Sequence, residues 1–192
     1  NATTANYYWI TNMSILKIYQ EQQPAQAQTF TDYDDISTRL AAHGIRFERW
    51  QANAPLPADA TQAEVIAAYQ ADIERLMQDN GFQSVDVVSL NPDHPDKAAL
   101  RAKFLNEHTH SEFEVRFFVE GQGLFYLHLG DQVYTVLCEQ GDLISVPAGA
   151  THWFDMGANP HFKAIRLFTN PEGWVANFTG SDIANRFPKL QN

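Results

Sequence analysis

The run FLNEHTHSEFEVRFFVEG, from Phe104 to Gly121, decides how this chain of 192 residues is read. It sets His108, His110 and Glu114 at even positions. Side chains on an extended strand alternate faces with period two, so all three point the same way. A fourth candidate, His152, follows in GDLISVPAGATHWF, from Gly141 to Phe154. Two imidazoles and a carboxylate on one face are the ingredients of a facial triad, which holds a divalent first-row metal and leaves coordination positions open. Donors of nitrogen and carboxylate without thiolate suit Fe, Ni, Co or Mn better than a closed structural zinc site. Arg116 shares the parity of the ligands, so its charge faces the same cavity and points to an anionic substrate. An ion pair of Arg116 with Glu112, Glu114 or Glu120 is the competing use of that side chain.

Outward from this run, Glu114–Val119, Leu124–Leu129, Gln132–Cys138, Asp142–Val146 and Phe162–Phe168 read as strands. Gly130-Asp131, Glu139–Gly141 and Pro147–Gly149 are the turns between them. Short strands at this spacing predict a closed or double-sheet β-barrel. Upstream, Ser14–Tyr19, Ile45–Trp50 and Val85–Leu90 are further strands. Helices are expected over Asp34–His43, over Thr61–Asn80 behind a Thr61/Glu64 capping box, and over Lys97–Phe104. The stripe Val65, Ile66, Tyr69, Ile73, Leu76 and Met77 is core packing at helical spacing. Helices in the first half and strands in the second make an α+β chain, mainly β, with helices packed outside the barrel.

The remaining histidines are set aside as ligands: His43 in a last helical turn, His94 in a turn, His128 at a strand end and His161 in a loop. By alternation Glu107 faces away from the metal, which leaves it a place behind the ligands or at the surface. A single His or Glu in such positions is ordinarily structural. Two motifs that bring three imidazoles and a carboxylate into an apolar barrel call for a cation.

Composition bounds the partners. A formal net charge of −10 argues against nucleic acid and anionic membranes, which need a basic patch. The protein as a whole repels an anionic substrate, so attraction must come locally. Cys138 is the single cysteine, so no intramolecular disulfide forms, a buried thiol is expected, and a cytoplasmic setting is natural. No apolar run reaches the length of a membrane span. Residues 1–12 are expected to be a leader or remnant, disordered and outside the fold, and 13–192 a single domain with its metal-binding core over about 104–170. No heptad or extended apolar patch is visible, so a monomer is expected.

His-x-His-x3-Glu-x6-Gly (His108–Gly121) and Gly-x5-Pro-x-Gly-x2-His (Gly141–His152) resemble the two metal motifs of the cupin superfamily. FLNEHTH, EVRFFVEG, LISVPAGATHWFDMG and NPEGW, with GIRFERWQA and VIAAYQ upstream, resemble the bacterial acireductone dioxygenases of methionine salvage from Met13 to Leu190. The resemblance implies a double-stranded β-helix, or jelly-roll, barrel. It also implies one divalent metal per chain, Fe(II) or Ni(II), with Co or Mn possible in vitro, held by His108, His110, Glu114 and His152. Arg116 would stabilise the substrate dianion, with Phe104, Phe154 and Trp174 around the substrate. Glu107 would influence metal incorporation, and Met156 could contribute a polarizable contact. The implied reaction cleaves 1,2-dihydroxy-3-keto-5-methylthiopentene with O2. Fe(II) would give formate and 2-keto-4-methylthiobutyrate; Ni(II) would give formate, CO and 3-methylthiopropanoate. Ala102 and Met156 depart from the general cupin pattern but match the narrower family, whereas Phe113 stands where a polar or acidic residue is expected. Two alternatives are another cupin oxygenase or isomerase on a small anion, and a ligand-binding cupin without O2 consumption.

Overall fold

Strand pairing in the computed structural model, which describes residues 14–192, follows the alternation of the sequence and in places corrects it. The expectation about residues 1–12 lies outside the described residues. In chain order the strands are β1 (Ile15–Gln20), β2 (Ala27–Phe30), β3 (Phe47–Arg49), β4 (Ser84–Leu90), β5 (His108–Thr109), β6 (Glu114–Leu129), β7 (Gln132–Glu139), β8 (Asp142–Val146), β9 (Thr151–Asp155), β10 (Phe162–Phe168) and β11 (Asn177–Phe178). The helices are α1 (Tyr33–Ala41), α2 (Gln62–Ala68), α3 (Gln70–Asn80) and α4 (Lys97–Leu105), and Ile183–Arg186 form a 3-10 turn. All strand pairs are antiparallel.

One sheet runs β11-β5-β9-β6-β7-β1-β2, and a second runs β4-β10-β6-β8-β3. The long strand β6 belongs to both, its first half to the second sheet and its last half to the first. The two strands expected over 114–119 and 124–129 are therefore one. What lets one strand serve two sheets is a bulge. Lys163 pairs with Glu120 while Ala164 pairs with Phe118, leaving Val119 as the extra residue. An added residue flips every later side chain to the other face. Before it, Phe118 faces the interior while Val115, Phe117 and Val119 face outward; after it, Phe125 and Leu127 face in and Tyr126 faces out.

Three apolar layers result. The interior is filled by Phe118, Phe125, Val136, Ile144, Phe154 and Phe162, with the buried thiol of Cys138 among them. On the outer face of the second sheet, Val65, Tyr69, Ile73 and Leu76 cover Val115, Phe117, Ile165 and Leu167. Outside the first sheet, Ile183, Ala184 and Phe187 cover Tyr126, Val133 and Trp153. This double-sided covering explains why successive residues on both faces of β6 are buried near its start.

The capping box forms as expected: the Thr61 hydroxyl accepts the Glu64 N–H at 3.2 Å and Glu64 accepts the Thr61 N–H at 3.3 Å. The helix it starts does not run unbroken to Asn80. It breaks at Tyr69 (φ −113°, ψ 23°), whose ring packs edge-on against Phe117 and whose hydroxyl accepts the Ala54 N–H at 3.2 Å. Docking of that ring overrides the helical periodicity. β2, β9 and β11 are not among the expected strands; β2 is exposed and polar, and β11 is only two residues long.

Gly121 sits next to the bulge with φ 71°, and a Cβ there would lie 1.8 Å from the His161 carbonyl oxygen. Backbone blocks the space, so no side-chain movement relieves the clash. Gly121→Ala is expected to lower the thermal midpoint by roughly 6–12 °C, corresponding to about 3 kcal/mol, measured by circular dichroism. An unchanged midpoint would contradict the bulge geometry.

Candidate metal centre

At one end of the barrel the two sheets bring a histidine trio against an acidic residue. His108 on β5 is the direct register partner of His152 on β9. His110 lies just beyond β5, and Glu114 opens β6. The expectation of one continuous strand through these residues is corrected: the chain leaves the sheet after Thr109 and re-enters at Glu114. His152 comes from a strand rather than a turn. The shared direction of the side chains survives both changes.

Ring nitrogens of His108, His110 and His152 lie within 4.8 Å of one another, and all three residues are buried. Each ring is held from behind by a backbone carbonyl. Nδ1 of His108 meets the Asn106 oxygen at 2.7 Å, Nδ1 of His110 the Val175 oxygen at 3.0 Å, and Nδ1 of His152 the Ala150 oxygen at 2.9 Å. A carbonyl can only accept, so the proton sits on Nδ1 and the Nε2 lone pair faces forward. The Glu114 carboxylate completes the ring, with Oε2 at 3.3 Å from His110 Nε2 and 3.9 Å from His152 Nε2.

These forward atoms have no donor. His110 Nε2, His152 Nε2 and Glu114 Oε2 are buried without a hydrogen-bond partner. Lone pairs facing a carboxylate repel one another in a low-dielectric interior unless a cation lies between them. At His152 and His108 a proton does not serve. Burial, then His108, pushes the His152 pKa down to about 3, and burial lowers that of His108. Burial alone would raise the Glu114 carboxyl, but Arg116 beside it holds it well below the usual carboxylate range. Neutral imidazoles and an ionised carboxylate are the protonation states a divalent metal requires.

Arg116 pairs with Glu114 and also lines the cavity over the trio. Its Nε donates to Glu114 Oε1 at 2.5 Å, and its guanidinium stands over the rings of Phe125, Phe154 and Phe104 at 4.9, 5.1 and 5.6 Å. Nη1 is buried and unpartnered. A cavity of about 80 Å³ opens over the trio, lined by Phe104, His108, His110, Arg116, Arg166 and Trp174, with Lys103, Ala176 and Phe178 at its edges. Among the described residues, the larger depressions elsewhere on the surface carry no comparable cluster.

Phe104 and Trp174 thus line the cavity, Trp174 being 55% exposed at its mouth. Phe154 is buried one layer behind, edge-on to Phe104, and Met156 is wholly buried in the core. Glu107 points away from the trio as alternation requires. Its carboxylate accepts the Thr179 hydroxyl at 2.8 Å and meets His128 Nδ1 at 3.1 Å. Phe113 stacks on Phe82 in the layer under α3, away from the site.

Sequence reasoning missed Arg166 and, beyond Trp174, the residues 175–178. Arg166 is the register partner of Arg116 on β10 and is held by a two-pronged pair with Asp86 at 2.8 and 2.5 Å. An arginine alternating inward in FKAIRLF was the available signal. Val175 could not have been found, because its backbone oxygen carries the role.

A family model described as the ARD/ARD' family matches residues 15–176. An acireductone dioxygenase of Marinobacter nauticus is 63% identical over 181 residues, covering 94% of this chain and 97% of that protein. One of Pseudomonas aeruginosa is also 63% identical, covering 94% of this chain and all of its own length. Among solved structures, an acireductone dioxygenase from Bacillus anthracis with a cadmium ion in its active centre superposes with a TM-score of 0.76 at 30% identity, covering 86% of this chain and 98% of that one.

His152→Ala is expected to weaken divalent-metal affinity by at least about 100-fold, since even outer-sphere partners cost 10–100-fold. Elemental analysis after dialysis reads this directly, and full retention of metal would exclude His152 as a ligand. For the metal-free protein, His152 stays neutral in the fold down to about pH 3 but protonates near its ordinary 6.5 when unfolded. The unfolded state therefore takes up the proton first, and stability is lost as pH falls from 6.5 toward 3. Urea midpoints across that range should decline, and the decline should be smaller in His152→Gln.

Proposed function

The chain belongs to the ARD/ARD' family, the acireductone dioxygenases, and from that premise we propose how its residues divide the work. It is a metal-dependent dioxygenase on a cupin-type barrel. His108, His110, His152 and Glu114 hold one divalent ion. The observation that carries this is the convergence of buried, partnerless Nε2 and Oε2 atoms, each histidine backed by a carbonyl. When bound, the ion would supply Lewis acidity toward the oxygens of the substrate.

The substrate is the dianion of 1,2-dihydroxy-3-keto-5-methylthiopentene. Arg116 keeps one charge-assisted bond to Glu114 and turns its free Nη1 donor to a substrate oxygen. Arg166 adds a second fixed positive charge at the wall. Together they provide the local attraction that a chain of net charge −10 lacks elsewhere. Phe104 and Trp174 flank the methylthio tail and exclude water, while Phe154 supports Phe104 from behind. The bound enediol is already electron-rich, so the protein's contribution is orientation and charge stabilisation. Glu107 acts indirectly by tying the strand of His108 to Thr179 and His128.

Fe(II) is the metal for formate and 2-keto-4-methylthiobutyrate; Ni(II) is the metal for formate, CO and 3-methylthiopropanoate. We place the enzyme in the cytoplasm as a monomer of one domain over 13–192. Among the described residues no helix is long and apolar enough to cross a membrane, and the exposed large hydrophobics are Trp174, Val175 and Phe178 around the cavity mouth.

The deciding experiment reloads metal-free protein with Fe(II) or Ni(II) and follows O2 uptake and products. Keto acid without CO for Fe(II), and CO for Ni(II), is the expected pair; no O2 uptake with either metal would sink the reading. Arg116→Ala should retain metal but lower kcat/KM by about 10²–10³-fold, the scale of losing one preorganised donor to a developing or resident anion. Undiminished kcat/KM with metal retained would remove Arg116 from substrate binding.

A further inference from the structure

Asp155 follows Phe154 at the end of β9 and is fully buried. Its two oxygens take four donors from three other segments. Arg101 on α4 supplies Nε to Oδ1 at 2.8 Å and Nη2 to Oδ2 at 3.2 Å. The Gly157 N–H reaches Oδ1 at 2.9 Å, and the Leu190 N–H reaches Oδ2 at 2.9 Å. Every strong acceptor direction of this carboxylate is used, so its geometry is held closely.

What hangs on it is α4. That helix contains no fully buried residue and has no side-chain cap at its start. Leu100, Phe104 and Leu105 are only partly buried against the barrel. A helix so lightly packed can roll or slide unless a directional contact stops it. The fork of Arg101 on Asp155 is such a contact, since two parallel bonds fix both distance and plane. Arg101 and Phe104 are three residues apart and share a helix face. Phe104 is the cavity wall, edge-on to Phe154 at 6.1 Å and 5.6 Å from the Arg116 guanidinium.

We infer that the Arg101–Asp155 pair is a positioning device for substrate selection: it sets where Phe104 stands, and thereby how well the apolar tail of the substrate is held. This rests on the acireductone dioxygenase reading. Neither side chain touches the reacting atoms. Their effect travels through α4 to one aromatic ring.

The test compares two acireductones on the Fe(II)-loaded full chain, one with the methylthioethyl tail and one with a methyl group in its place. Removing one partner alone would strand a buried charge, so the informative variant is Arg101→Met with Asp155→Asn together, accompanied by Arg101→Lys, which keeps the charge but not the fork. The wild type should prefer the tailed substrate in kcat/KM. The double variant should lose that preference by on the order of tenfold, through KM, with metal content retained. Arg101→Lys should lose part of it. A preference ratio unchanged within about twofold in Arg101→Lys and in the double variant, or equal losses on both substrates, overturns the inference. If the wild type turns over neither substrate, the fault lies in the functional reading instead.

Discussion

Four side chains with nothing to donate to one another meet inside a closed barrel, and the rest of the structure is arranged around that meeting. In water, three imidazole lone pairs and a carboxylate would be hydrated. Here burial strips the water away and leaves His110, His152 and Glu114 with bare acceptor atoms. The carbonyls of Asn106, Ala150 and Val175 close the protonated side of each ring. A cation between them would relieve the repulsion. Arg116 offsets part of the negative charge from one side but points a single nitrogen at Glu114 and leaves another free.

The fold makes this convergence rigid by drawing its side chains from both sheets. His108 and His152 are paired across β5 and β9 in one, while Glu114 and Arg116 sit on the half of β6 that belongs to the other. The bulge before Gly121 is what allows β6 to change sheets while keeping apolar side chains inward on both sides of the change. Layers outside each sheet then exclude water from the backbone that carries the ligands. Among the described residues, α4 holds no fully buried side chain, and Trp174, Val175 and Phe178 are exposed. That helix, Trp174 and Phe178 border the cavity, where a substrate must enter.

Much of this was legible in the letters. The even spacing of 108, 110, 114 and 116 gave the common direction of the side chains even though no single strand joins them. Parity holds within β6 for Glu114 and Arg116, and the short loop that carries His110 after β5 turns its side chain the same way. Capping residues marked the start of α2, whose side chains pack on the sheet as the apolar stripe suggested. What was hidden lies in contacts distant along the chain. The break at Tyr69 depends on Phe117, the importance of Arg166 on its register with Arg116, and the anchoring of α4 on a carboxylate more than fifty residues away. Backbone carbonyls that orient the histidines have no letter at all. β9 escaped because a short apolar run beside a turn reads equally as loop or strand.

The central claim is that His108, His110, Glu114 and His152 share one ion. Anomalous diffraction from crystals of the metal-loaded protein tests it most directly. The account predicts a single peak roughly 2.0–2.2 Å from one atom of each of the four side chains. A peak at another place, or one that three of them approach while Glu114 remains turned wholly to Arg116, would contradict it.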